Sequence, residues 1–183
     1  MFVLFSLVLI LGSCRHAAAY VNALDAEFSF SCGTSEQTIS HVESVHDNHA
    51  EDRQFDFSCR DVMAEMDGTK AACYWTGYAN VFDQPENFQC PGNQYVNGMG
   101  SQHNNHYEDR IWKFRCCSLP DVHMADCKFT DWTNAFDGAQ NFNAEPGTVM
   151  KGMDSYHSNH NEDRRYKFEL CTPFIASGSL VGK

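Results

Sequence analysis

Six histidines of this chain stand in one pattern written three times, H-x-N-H-x-E-D-R. It runs from His46 to Arg53, from His103 to Arg110 and from His157 to Arg164. Two imidazoles and two carboxylates within eight residues are the ligand types of a metal site. Residues three apart face opposite sides of a strand, so His46 with His49, His103 with His106, or His157 with His160 would chelate one ion only from a turn or helix. The Asn and Asp content marks such a turn. The same residues also suit an ion pair, because a partly buried arginine needs a carboxylate and several acceptors. We read Asp52–Arg53, Asp109–Arg110 and Asp163–Arg164 as structural, with the acidic residues holding the arginine and Asn48, Asn105 and Asn159 capping the turn. The histidines are less bound to that role. Metal ligation, direct ligand contact and pH sensing near neutrality all remain open for them. No metal and no cofactor are expected.

These residues need elements to hold them. In Arg53-Gln54-Phe55-Asp56-Phe57-Ser58-Cys59 apolar and polar residues alternate, the mark of a half-buried strand. Arg110, Trp112, Phe114 and Cys116 keep the same parity, as do Arg164, Tyr166, Phe168 and Leu170. Phe28, Phe30 and Cys32 form another such face. Helical periodicity is weak, with one short turn expected over Val62–Met66. Upstream of each motif lies an aromatic followed by N-x-(L/F)-D, around Asn22, Asn80 and Asn134. The motif recurs at offsets of 57 and 54 residues, so the chain is a triplication. The expected fold is all-β, a single disulfide-stapled domain of three antiparallel strand modules. The repeats cover about 20–60, 73–117 and 127–171 and share one core about a pseudo-threefold axis. Each is too short to bury a core alone.

Residues 1–19 read as a signal peptide, with an apolar run from Phe2 to Leu11 and small residues at Ala17–Ala19. Residues 172–183 form a tail. Removal of the signal takes away Cys14 and Arg15, leaving eight of the nine cysteines and a net charge of -12. Secretion and an even cysteine count imply disulfides. Repeat two has every cysteine type. Repeat three lacks two together (Ala144, Leu170), and repeat one lacks the other two, with Arg60 where Cys117 would stand. Positions lost together pair together. The implied bridges are Cys32–Cys59, Cys90–Cys116, Cys73–Cys117 and Cys127–Cys171, each worth roughly 3 kcal/mol in the unfolded-state entropy model.

The acidic charge disfavours nucleic acid, and no apolar run is long enough for membrane insertion. G-x-S-x-G, H-E-x-x-H and P-loop motifs are absent and no free mature thiol remains, so catalysis is not expected.

The repeated D-R-x-(aromatic)-x-(F/Y)-x-C, the mature start Tyr20-Val21-Asn22, the Phe28–Cys32 segment and the double cysteine after Trp112-Lys113-Phe114 resemble the dermatopontin family. The H-x-N-H-x-E-D-R form is most similar to its invertebrate hemagglutinin and aggregation-factor branch. The resemblance implies a secreted, non-enzymatic extracellular-matrix or body-fluid protein active in cell adhesion, aggregation or lectin-like agglutination. Its partners would be cell-surface or matrix ligands: glycans, proteoglycans or matrix proteins. The alternatives are a self-associating structural component of a shell, cuticle or collagen fibril, and more remotely a metal-dependent secreted enzyme or toxin.

Overall fold

A computed structural model describes residues 20–63 and 71–176. The expected signal peptide, most of the Val62–Met66 turn and the end of the tail lie outside the described residues. Eleven strands and no helix make up the described chain, and all pairings are antiparallel. Among the described residues no helix is long and apolar enough to cross a membrane.

Each repeat contributes one long hairpin. The first pairs β2 (Gln37–Asp47) with β3 (Asp52–Asp61), the second β6 (Tyr95–Asn104) with β7 (Asp109–Ser118), the third β10 (Val149–Ser158) with β11 (Asp163–Ile175). The motif is the hairpin connection itself, so the expected turn lies between two strands. Its cap is formed one residue earlier than the asparagine. Asp47 Oδ1 accepts from the His49 and Ala50 amides, and Asn104 Oδ1 accepts from the His106 amide. The correction follows from reach, because a side chain at the strand end faces the amides two and three residues on. The motif glutamates close the turn in the left-handed region, with φ of 47° at Glu51, 44° at Glu108 and 46° at Glu162.

A short strand from a different repeat completes each hairpin. Strand β1 (Phe28–Ser31) lies on β6, β5 (Glu86–Gln89) on β10, and β9 (Gln140–Asn143) on β2. Repeat one thus lends a strand to two, two to three, and three to one. Gly98 and Gly152 admit the lent strands, since a Cβ there would fall on the Phe30 and Phe88 carbonyl oxygens. Repeats two and three add an outer strand to their own hairpins, β4 (Ala72–Trp75) on β7 and β8 (Val122–Phe129) on β11.

The inward parity of β3, β7 and β11 supplies the core. Phe55, Trp112 and Tyr166 meet edge to face with centroids 5.1, 5.7 and 6.1 Å apart, so each ring touches the other two. Disulfides Cys32–Cys59 and Cys90–Cys116 tie one sheet to the next, whereas Cys73–Cys117 and Cys127–Cys171 fasten the outer strands. The joint between repeats three and one carries Ala144 and Leu170 in the core instead. There Arg60 donates to the Ala144, Glu145 and Thr148 carbonyls.

Candidate functional site

Parity determines which motif residues meet. Asp52 and Arg53 are adjacent on a strand and point apart, so an aspartate cannot grip its own arginine. Each arginine takes the aspartate of another repeat. Arg110 Nε and Nη2 donate to Asp52 at 2.6 and 2.7 Å, Arg164 to Asp109 at 2.5 and 2.7 Å, and Arg53 to Asp163 at 2.6 and 2.6 Å. These paired bonds form a closed cycle around the centre. All six residues are at most 4% exposed. Nη1 of Arg53 and Arg164 donates to the Ser44 and Ser155 hydroxyls, and Nη2 of the three arginines reaches the Gly138, Ala26 and Gln84 carbonyls, while Nη1 of Arg110 has no partner among the described residues. Burial alone would lower the Arg53 pKa; the Asp163 carboxylate outweighs it and holds the value above the usual one. The ring leaves a cavity of about 10 Å³, near the minimum for one water.

The N-x-(L/F)-D segments brace this ring. Asn22, Asn80 and Asn134 donate to the Arg53, Arg110 and Arg164 carbonyls and accept from the Phe55, Trp112 and Tyr166 amides. They are buried and occupied, so they form no ligand surface. The aspartate closing each segment donates its amide to the ring: Asp25 to Asp52, Asp83 to Asp109, Asp137 to Asp163.

The two histidines of each motif part company. His49, His106 and His160 stand exposed on the turns. His46, His103 and His157 turn inward, with side chains 1%, 1% and 0% exposed. Of the six, only His49, His106 and His160 present their side chains at the surface, because the hairpin directs the strand-end imidazole beneath the neighbouring repeat. Each inward imidazole lies within 4 Å of three carboxylates. For His103 these are Asp25, Asp52 and Glu108, for His157 Asp83, Asp109 and Glu162, and for His46 Asp137, Asp163 and Glu51. The motif glutamate thus faces histidine and not arginine. Glutamate 108 is pushed above the usual range by partial burial and by Asp25, Glu162 and Glu51 nearby. Sequence reading missed the roles of Asp25, Asp83 and Asp137, although their threefold recurrence was visible.

The turn face carries further features. Asn48, Glu51, Asp137, His160, Asn161 and Glu162 line a polar groove of about 320 Å³ between the first and third turns. At the second turn Tyr107 stacks on Phe82, centroids 5.0 Å apart, with His106 edge-on.

A family model described as Dermatopontin matches residues 22–174. The chain is 32% identical over 166 residues to Hemagglutinin/amebocyte aggregation factor of Limulus polyphemus, covering 90% of this chain and 93% of that one. It is 37% identical over 153 residues to Dermatopontin of Biomphalaria glabrata, covering 84% and 99%. It is 37% identical over 151 residues to Millepora cytotoxin-1 of Millepora dichotoma, covering 82% and 65%. No solved structure matches it.

Proposed function

The chain belongs to the dermatopontin family, and from that premise we propose that it is a secreted, non-enzymatic adhesion protein that bridges cells or matrix. The observation that carries the reading is the similarity over nine-tenths of the chain to a relative named for hemagglutination and amebocyte aggregation. The geometry offers the means. Three turns project from one rigid, disulfide-stapled body, each with an exposed histidine. Linked weak contacts gain avidity by roughly 10²–10⁴ when they engage together. The polar groove beside His160 and the Tyr107–Phe82 stack suit glycan recognition, which combines hydrogen bonds with an apolar ring face.

The test is agglutination of erythrocytes and amebocyte-type cells with competing sugars. Agglutination relieved by a soluble glycan supports the reading. Self-association without cell binding would favour the structural-matrix alternative. The likeness to Millepora cytotoxin-1 favours a third reading, and release of haemoglobin without bridging would support that one.

A further inference from the structure

Three guanidinium groups face nine carboxylates at the centre of the molecule, and the three imidazoles among them are nearly without hydrogen bonds. Neither ring nitrogen of His46 or His103 has a partner, nor does Nδ1 of His157 or Oδ1 of Asp83. Buried polar atoms of native proteins are paired, so such a cluster indicates a missing occupant.

The spacing identifies its kind. His103 Nδ1 lies 3.4 Å from Asp25 Oδ1, and Nε2 lies 3.9 and 3.8 Å from Asp52 and Glu108. His157 repeats this with Asp83 at 3.4 Å and Asp109 and Glu162 at 3.9 Å. These gaps exceed a charge-assisted hydrogen bond of about 2.7–2.9 Å. The two ring nitrogens face different carboxylates and only one of them can hold a given ion; the 3.4 Å gap from Nδ1 to the outer aspartate matches the edge of a coordination polyhedron, since ligands about 2.1 Å from a tetrahedral ion sit about 3.4 Å apart.

We propose that Asp25, Asp52 and His103 form one divalent-cation site, and that Asp83, Asp109 and His157 form a second. In each set the ligand atoms lie within 4.8 Å of one another. Glu108 and Glu162 face the other ring nitrogen, Nε2, at 3.8 and 3.9 Å and lie outside these sets, so water would take the fourth position, as zinc allows. One imidazole nitrogen with carboxylate oxygens is a zinc-type donor set, where calcium takes oxygen alone. Asp52 and Asp109 keep their arginine bonds and offer the ion a remaining lone pair of Oδ1. The outer aspartates reach solvent, with Asp25 side chain 43% exposed and Asp83 27%, which opens a path for the ion. Each site takes ligands from two repeats, so the ion would fasten the repeats where the arginine ring already joins them. At the third junction the His46 ring is turned, with Nδ1 on Asp163 at 3.4 Å, and no third site is assigned.

The test uses the full secreted chain, stripped with chelator, incubated with zinc alone and dialysed. The expected result is close to two zinc ions per chain, a melting temperature lowered by chelator, and loss of one ion in each of Asp25→Asn and Asp83→Asn. The combined variant His49→Gln, His106→Gln, His160→Gln should keep both ions, which separates the buried sites from surface histidines. Cobalt loaded into the unmutated protein provides a readout independent of any variant, with intense visible bands of tetrahedral ligation. Substoichiometric zinc with an unchanged melting temperature overturns the proposal. So does nitrogen NMR of metal-free protein showing both ring nitrogens of His103 and His157 protonated at neutral pH, since a proton would then fill the place assigned to the ion.

Discussion

At the centre, Arg53, Arg110 and Arg164 make the same paired bonds to an aspartate of another repeat. At the rim the repeats differ. The first has no counterpart of β4 or β8 among the described residues, and one of the three joints has Ala144 and Leu170 where the others have cystines. A closed ring fails if one member changes, because each aspartate serves a neighbour. A rim strand pairs only with its own hairpin, so its loss leaves the ring of ion pairs intact. Sameness among the repeats therefore marks the residues that cross from one repeat to the next.

The largest effect should come from opening the ring. Arg110→Ala strands the buried Asp52 carboxylate and should lower stability by about 3–5 kcal/mol, read from denaturant midpoints. An unchanged midpoint with lost cell binding would make the motif a ligand site instead.

A smaller effect lies where the repeats diverge inside the core. Glu86 occupies the place taken by Phe28 in repeat one and Gln140 in repeat three. It is 1% exposed, its carboxylate oxygens have no hydrogen-bond partner, and burial pushes its pKa up to about 8 from 4.5. A raised carboxyl pKa leaves the fold unpenalised below about pH 4.5 and destabilises it progressively as pH rises toward 8. Glu86→Gln should remove this loss, adding on the order of 3 kcal/mol at pH 8 and almost nothing at pH 4. Melting curves at the two pH values check it.

The uncrosslinked joint offers a change of comparable or lesser size. Ala144→Cys with Leu170→Cys should form a third inter-sheet bridge and add up to about 3 kcal/mol. Non-reducing peptide mapping and denaturant midpoints check both halves of that expectation. The smallest effect belongs to the turns: His49→Gln, His106→Gln and His160→Gln together should move stability by less than about 0.5 kcal/mol. If those turns bind, the same variant should flatten the pH dependence of agglutination between about pH 5 and 8. An unchanged titre and pH profile would move the ligand surface elsewhere.

The strands were legible in the sequence because Arg53–Cys59 and its counterparts alternate with period two, and the hairpin connection because Asn and Asp crowd it. The strand exchange was not legible. Phe28–Ser31 has the same alternation whichever hairpin it joins, and only the closed ring of sheets selects another repeat. The arginine's partner was hidden for the same reason, since a neighbour in sequence looked available while parity turned it away. The inward and outward histidines are three residues apart in one motif, and the turn between them separates their fates.

The central claim is that the repeats are locked by ion pairs between one repeat and another. A double-mutant cycle of Arg110→Met and Asp52→Asn, residues 58 apart in sequence, measures it directly. The account predicts a coupling energy of about 1.5–3 kcal/mol in denaturant unfolding, the upper part of the range of about 0.5–3 kcal/mol for groups in one network. Single effects that add to within about 0.5 kcal/mol would contradict it, because independent sites behave that way.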